Sequence, residues 1–513
     1  MRPTFATPRV LFAFAVCALG LPASAAPAAA PAAAGLTSVV ELRAWLEAHV
    51  TQPRFSGSLW SVRIDSLDTG AILFAHHADR AMAPASNSKL YAGALALDEL
   101  GAEYRIVTPI LATAKPDDAG VVHGEVIVSG RGDPSWKSAQ RREDFWPIFA
   151  PFVTALKQAG VRRITGDLVA DTTHFHAPPN GTGWMVDDLN NDYGAEISAL
   201  TIENNYADAR VTPAARAGEP CVVELLHPLT ELTLDNRMMT VAAGAGRQLV
   251  AHRHFDENVV HLFGQLPVGG KVEIVDLTVP RPAAWFARAL KEALARGGIG
   301  VGGRARSVRW PEAPAASVES VQLGEVSSPP MRELVAAFMK PSQNLETDLI
   351  FGHLGEKRRT ADLPTWRTTE ELAVEALREF FRRNALPAHE VRLAEGSGLS
   401  QYNLTTANAT VGLLTVMAKH RAAADFLAAL PVAGIDGTLR LRMKGTAAAG
   451  NVRAKTGALR HANTLSGFVT TAAGERLVFS IMLNRHSQTP PNRNAREELD
   501  DIAVRLAEYR GAR

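Results

Sequence analysis

Apolar residues recur with two periods along this chain, and the places where the period changes mark its elements. Val39, Leu42 and Leu46 lie at helical spacing, and Ser38-x-x-Glu41 ahead of them is a capping-box pattern, so folded structure is expected to begin at Ser38. Trp60, Val62 and Ile64 then alternate with polar residues, Asp68-Thr69-Gly70 makes a turn, and 71–75 returns, which predicts a β-hairpin. Pro84 delivers the chain to Ser86. From there a helical pattern runs to Leu100, with Leu90, Ala94 and Leu97 on one buried face and Gly101 as its stop.

The character changes after Gly101. Residues 105–113 and 124–129 read as strands, 149–160 as a helix and 163–170 as a strand, which together suggest an α/β unit. Between 171 and 279, short strand-like runs alternate with Pro, Gly and Asn turns, as in a smaller β-rich module. A helix from Pro282 to Arg296, closed by Gly297-Gly298, and a strand near Ser307 restore α/β character. Pro329-Pro330 then leads into a helix carrying Leu334, Phe338 and Met339, and Leu345, Leu349 and Phe351 mark another. Runs at 452–459, 464–470 and 477–483 alternate as strands of an antiparallel meander, and Leu499, Ile502, Leu506 and Tyr509 form a last helical stripe. The expectation is a multi-domain α/β protein: 36–101 and 326–513 form an antiparallel sheet flanked by helices. The insertion, 102–325, divides into an α/β part at about 102–170 and 280–325 and a β-rich part at about 171–279.

Composition narrows the class without choosing a function. With 513 residues, 46% of them hydrophobic and 21% charged, the chain has material for about three ordinary globular domains. A formal net charge of +1 argues against nucleic acid or an anionic membrane surface as partner. Residues 1–25 read as an export signal: Arg2 and Arg9 precede the apolar run 10–21, and Ala23-Ser24-Ala25 is a small-residue cleavage site. An Ala/Pro-rich leader, 26–35, follows. No later run reaches the roughly 18 apolar residues of a membrane-spanning helix, so no integral membrane segment is expected in the mature chain. Cys17, behind Phe14-Ala15-Val16, is a poor match for a lipid-acceptor cysteine. Cys221 is then the one cysteine left, which excludes an internal disulfide and a cysteine-built zinc site.

Three short motifs occur in a set order: Ser86-Asn87-Ser88-Lys89, Ser342-Gln343-Asn344 and Lys455-Thr456-Gly457. Each alone has an ordinary reading, with Ser86 as a helix cap and Lys89 as a solvated first-turn residue, or Ser342 and Asn344 as caps of the following helix. Taken together, the first opening a helix and the third lying on a strand, they predict a serine acyl-transfer site. Ser86 and Lys89, three apart, share one helix face and reach each other. Other signals carry less. His174 and His176 would share one face of a strand but lack a third ligand. Gly396-Ser397-Gly398 is not the G-x-S-x-G elbow, and Gly244-x-Gly246 lacks a third glycine. No cofactor and no metal is expected.

This set resembles the motifs of penicillin-recognising serine acyltransferases. It is most similar to the class C low-molecular-mass penicillin-binding proteins, the D-alanyl-D-alanine carboxypeptidase/endopeptidases of peptidase family S13. The likeness extends to Asp79-Arg80 ahead of Pro84-Ala85-Ser86, to Gly130-x-Gly132-Asp133-Pro134, to Gly396-Ser397-Gly398-Leu399-Ser400, and to Pro431-Val432-Ala433-Gly434-x-Asp436-Gly437-Thr438-Leu439. A long insertion between the first two motifs is a family trait that serine β-lactamases lack.

The resemblance implies a transpeptidase-like fold, an acyl-enzyme at Ser86, and Lys89 as its base once burial and Lys455 depress its pKa. It implies that Ser342 passes a proton to the leaving amine and Asn344 holds the substrate amide. Lys455 and Thr456 would meet the terminal carboxylate, and Gly457 would let the substrate strand approach. The N–H groups of Ser86 and Ala458 would form an oxyanion hole worth roughly 3 kcal/mol per donor. The substrate would be peptidoglycan stem peptides, the inhibitors β-lactams and the location the periplasm; a β-lactamase or esterase and a non-catalytic wall-binding protein are the alternatives. Two departures stand out. Family members often carry Arg where this chain has Gln401, and Ser where it has Ala458. Asp171 resembles the family's partner for a side-chain ammonium.

Overall fold

The computed structural model describes residues 36–138, 145–486 and 494–511; the export signal, the leader and Cys17 lie outside the described residues. The Val39–Val50 helix opens on Ser38, whose hydroxyl accepts from the Glu41 N–H while the Glu41 carboxylate accepts from the Ser38 N–H. Leu59–Ser66 and Ile72–His76 form the hairpin, and Arg453–Leu459, Ala462–Thr470 and Arg476–Asn484 form the meander. Periodicity did not show how these two pieces join. Leu59–Ser66 pairs antiparallel with Arg476–Asn484, which makes one five-stranded sheet with Arg453–Leu459 at one edge and Ile72–His76 at the other.

That sheet is the middle of three layers because its strand residues alternate faces. Leu477, Phe479, Ile481 and Leu483 join the cluster of Leu42, Leu46, Leu499, Ile502 and Leu506 from the terminal helices. Val478, between them, belongs to the core of the central helices. The Ser88–Glu99 helix lies in that second core and is buried from Ser88 through Leu97, not along the single face that Leu90, Ala94 and Leu97 suggested. Its apolar and small residues all round suit an innermost helix. Around it stand Met331–Met339, Asn344–Glu356, Thr369–Arg383, Ala407–Met417 and Ala423–Ala429, of which the last three were not read from the sequence.

Residues 107–327 build separate sheets. Ala305–Val308, Leu168–Asp171 and Val126–Ser129 are parallel neighbours, and Val107–Ala112 and Val321–Ser327 add an antiparallel side. Phe152 of Ala150–Gln158 and Trp285, Phe286 and Leu290 of Pro282–Arg296 fill the core of this region. The single strand expected over 163–170 is two, Arg163–Ile164 and Leu168–Asp171, in different sheets. The break falls at Gly166, where a Cβ would stand 2.5 Å from the Gly124 carbonyl oxygen. Two three-stranded sheets make up the β-rich part: Thr233–Val241, Val259–Pro267 and Gln248–Arg253 in one, Glu273–Thr278, Tyr206–Thr212 and Val222–Leu225 in the other. His174 and His176 lie in the turn after Leu168–Asp171, so they do not share a strand face. No helix among the described residues is long and apolar enough to cross a membrane.

Candidate active site

The edge strand Arg453–Leu459 brings the third motif against the turn that carries the first. Ala85, Ser86 and Asn87 form a 3-10 turn ahead of the Ser88–Glu99 helix, and Ala85 sits in the left-handed region at φ +48°. A non-glycine residue holds that conformation only where its surroundings over-determine it. Here two glycines do so. A Cβ on Gly398, whose own φ is +91°, would overlap the Ala85 carbonyl, and one on Gly457 would stand 2.7 Å from the Pro84 oxygen and 3.0 Å from the Ser86 nitrogen. Gly457 thus serves the docking of the Ser86 turn on the sheet. The Thr464 hydroxyl adds a 2.8 Å bond to the Pro84 carbonyl.

Gly398→Ala tests this clamp. The added methyl and the left-handed φ together are expected to displace Ser86 and lower kcat/KM by about 100-fold, the cost of roughly 1 Å of misplacement at a reacting group. Melting should fall by the equivalent of about 1–3 kcal/mol. A variant with wild-type kcat/KM would show that the clamp does not position Ser86.

Lys89 is fully buried, so the reading of it as a solvated first-turn residue fails. Its Nζ lies 3.0 Å from Ser86 Oγ, 2.6 Å from Asn344 Oδ1 and 2.6 Å from the Ser397 carbonyl oxygen. Burial disfavours the ammonium and pulls its pKa down to about 8, against an opposing pull from Asp348 and Glu395. Those carboxyls are buried too, at 5% and 1% exposure. Asp348 Oδ1 accepts from the Gly396 and Ser397 N–H groups, and Glu395 accepts from the N–H groups of Ser397 and Gly398 and from Asn403 Nδ2. Burial and the adjacent Glu395 hold the Asp348 proton well above the usual carboxylate range. The two acids thereby brace the loop whose carbonyl receives Lys89.

A second serine–lysine pair completes the arrangement. Lys455, also fully buried, donates to Ser342 Oγ at 2.7 Å and to the Thr456 carbonyl at 2.8 Å. Burial, then the neighbouring Lys89 charge, pushes its pKa well below that of an ordinary lysine. Ser342 sits at φ +71°, and Asn344 Nδ2 donates to the Tyr193 carbonyl at 2.9 Å. Neither motif residue caps the Asn344–Glu356 helix through its side chain. Thr456 Oγ1 donates to Thr438 Oγ1 at 2.8 Å. The loop of Thr438 is held by Asp436, which bonds Lys340 at 2.6 Å and accepts from the Val432 N–H at 2.9 Å.

Ser86, Ser342, Asn344, Ala458 and Gln401 line one cleft of about 520 Å³, and Lys89, Lys455, Thr456 and Gly457 stand behind its wall through the contacts above. Asp171 is not among them. Its carboxylate is buried in the insertion, accepting from the Thr173 N–H and hydroxyl and from the Ala315 N–H, so it braces a turn. The carboxylates that line the cleft are Asp187 and Asp188, joined there by Tyr193. Sequence reasoning missed all three, since they lie in an aperiodic stretch 1 or 5 residues apart with no motif around them. Gln401 lines the cleft without a cation of its own, while Arg460, paired with Asp187 at 3.3 Å, and Arg496 line it as well. Asp348 and Glu395 were also missed, and Thr438, quoted within the 431–439 stretch, was given no role of its own. Their signals were slight: Asp348 lies one helical turn after Asn344, and Glu395 directly precedes Gly396.

Comparison with known proteins identifies the family of the chain. The profile of the family described as D-Ala-D-Ala carboxypeptidase 3 (S13) matches residues 42–506. The D-alanyl-D-alanine carboxypeptidase of Actinomadura sp. (strain R39) is 34% identical over 498 residues, covering 95% of this chain and 88% of that protein. D-alanyl-D-alanine carboxypeptidase DacB of Haemophilus influenzae is 26% identical over 448 residues, 85% of this chain and 88% of the relative. The fold is shared with the crystal structure of penicillin binding protein 4 from Haemophilus influenzae, at a TM-score of 0.73 and 24% identity over 88% of this chain and 96% of the other. With the family profile spanning nearly all the described residues, and the Ser86, Ser342 and Lys455 motifs meeting at one cleft, the chain belongs to the D-Ala-D-Ala carboxypeptidase 3 (S13) family of hydrolases.

Proposed function

We propose that this protein is a serine-type D-Ala-D-Ala carboxypeptidase and endopeptidase that cleaves peptidoglycan stem peptides through an acyl-enzyme at Ser86 and is blocked by β-lactams. One observation carries the reading: a fully buried lysine with depressed pKa stands 3.0 Å from the hydroxyl of a half-buried serine at the floor of a cleft. A serine hydroxyl is a weak nucleophile until a base takes its proton, and an amine becomes a base once it is desolvated.

In this mechanism neutral Lys89 accepts the Ser86 proton as Oγ bonds to the carbonyl carbon of the penultimate D-alanine. The N–H groups of Ser86 and Ala458 receive the oxyanion. The C–N bond then breaks as the proton that Lys89 took from Ser86 passes through the Ser342 hydroxyl to the departing amine, which leaves Lys89 neutral again and Lys455 charged. Asn344 holds the substrate amide, and the Lys455 charge with the Thr456 hydroxyl holds the terminal carboxylate. Water then gives a proton to neutral Lys89 as it attacks the ester, and that proton returns to Oγ as Ser86 is freed. Residues 36–101 and 326–513 are the catalytic unit, and 102–325 the insertion that adds Asp187, Asp188 and Tyr193 to the cleft rim. The export signal read in residues 1–25 supports the periplasm as the place of the reaction. The Haemophilus influenzae protein of the same fold has been crystallised with a β-lactam, in keeping with inhibition at this site.

The test is product analysis on purified muropeptides together with intact-mass measurement after penicillin treatment. Released D-alanine, cut cross-links and a lasting one-to-one adduct are expected. Rapid β-lactam turnover without an adduct would make the protein a β-lactamase, and peptidoglycan binding with no released product would make it a wall-binding protein.

A further inference from the structure

In the β-rich part, the sheet of Thr233–Val241, Val259–Pro267 and Gln248–Arg253 has Val259–Pro267 at its centre. Residues directly opposite one another on paired strands share a face. The registers pair Asp235 with His261 and His261 with His252, so these three lie in a row across one face. The turn joining Gln248–Arg253 to Val259–Pro267 then sets His254 and Glu257 at the end of that row. The ligand-capable atoms of His254, Glu257 and His261 all lie within 4.8 Å of one another.

The bonding pattern fits metal coordination. His261 Nδ1 is 2.7 Å from Asp235 Oδ2, and its Nε2 is 3.0 Å from Glu257 Oε1. A carboxylate on one imidazole nitrogen settles the tautomer and aims the other lone pair, as in carboxylate–histidine–metal arrangements. Two ligands about 2.0–2.1 Å from one tetrahedral zinc ion stand about 3.3–3.4 Å apart, so the 3.0 Å between Nε2 and Oε1 here needs to open by only about 0.3–0.4 Å. The turn is also preorganised. Arg253, buried beneath it, donates from Nη1 to both the His254 and the Glu257 carbonyl oxygens at 3.2 Å. The His254 ring lies 5.7 Å from that of His261 and 4.9 Å from that of His252.

A second group of similar composition shows the contrast. His49, Glu498 and Asp501 also come together, but the Arg54 guanidinium holds Glu498 through two bonds of 2.7 and 2.8 Å, so a cation already occupies that place. At the hairpin the nearby guanidinium, Arg237, lies over the Phe263 ring and binds Asp235 at 2.7 Å, the carboxylate that meets Nδ1 of His261 and not Nε2.

We propose that His254, Glu257 and His261 bind one divalent transition-metal ion of the zinc class, with Asp235 as the positioning residue for His261. Two imidazoles and one carboxylate suit zinc and its neighbours, whereas calcium and magnesium take sets made of oxygen. All three ligands come from the run His254–His261, so the ion cross-links a single hairpin and stabilises that sheet by mass action.

Titration of chelator-treated, full-length protein with zinc chloride, followed calorimetrically and by elemental analysis after desalting, tests the site. One equivalent at micromolar affinity or tighter is expected, with a melting temperature that rises on zinc addition. His254→Ala/His261→Ala should weaken binding at least 30-fold and abolish the melting shift, and Asp235→Asn should weaken it about 10–100-fold. Glu257→Gln keeps the side-chain shape and guards against a double variant that does not fold. All three should leave D-alanine release unchanged. Binding weaker than millimolar, or zinc affinity equal in wild type and in the variants, would overturn the proposal; His76-His77 and the His461–His486 pair offer other imidazoles that could account for the latter.

Discussion

Ser86→Ala will leave no penicillin adduct in the intact-mass spectrum and will lower kcat/KM for D-alanine release by about 10⁴-fold or more, because removing a covalent nucleophile deletes the reaction path and not one contact along it. The fold should survive. Ser86 is half-buried and its hydroxyl accepts from Lys89, while the turn around it is held by Gly398, Gly457 and Thr464 through backbone contacts that alanine keeps. A melting curve matching wild type within about 1 kcal/mol would separate loss of chemistry from loss of structure. An adduct that persists in the variant would place the nucleophile elsewhere, with Ser342, which lines the same cleft, as the candidate.

Lys89→Ala should cost about 10³-fold in acylation rate, within the range for removing a positioned general base. Its distinguishing result is the pH profile. With a pKa of about 8 the wild-type lysine is protonated at acid pH and neutral above it, so kcat/KM is expected to climb as pH rises through about 8. At pH 7 roughly 10% of the enzyme then carries the free amine, against well under about 0.1% for an ordinary lysine. The alanine variant should lose that limb. Lys89→Arg should not restore it, since a guanidinium stays protonated throughout. A wild-type rate that is flat from pH 6 to 9 would remove Lys89 from the role of base. Stability should move in the same direction. The folded state holds fewer protons at Lys89 than the unfolded chain between about 8 and 10.5, so the cost of burying this group is absent above the unfolded pKa and is felt in full as pH falls through the folded one.

Burial separates what periodicity could find from what it could not. The Ser38 capping box, the hairpin, the meander and the Pro282–Arg296 helix were legible because their cause is local, in a cap, a turn or a two- or 3.6-residue repeat. Thr369–Arg383 and Ala407–Met417 also begin on threonine caps, a signal as local as the one at Ser38. The strand expected over 163–170 divided because Gly166 must approach Gly124, a residue 42 positions earlier, and no local pattern records such a neighbour. The Ser88–Glu99 helix showed one apolar stripe but is enclosed on every side, since alanine and glycine suit a crowded interior as readily as a surface.

The candidate site divides the same way. By itself the sequence determined which side chains are the candidates for the proposed chemistry and in what order they come: Ser86 and Lys89 one helical turn apart, Ser342 with Asn344, and Lys455 with Thr456. Spacing within a helix or strand is a property of the local backbone. Tertiary structure alone decided that Lys89 is desolvated between Asn344 and the Ser397 carbonyl, that Gly398 and Gly457 clamp the turn of Ser86, and that Asp187 and Asp188, not Asp171, line the cleft. Each of these depends on residues tens to hundreds of positions apart meeting in a shared core. Desolvation and close backbone approach are set by whatever fills the surrounding volume, which becomes defined when the layers close on one another.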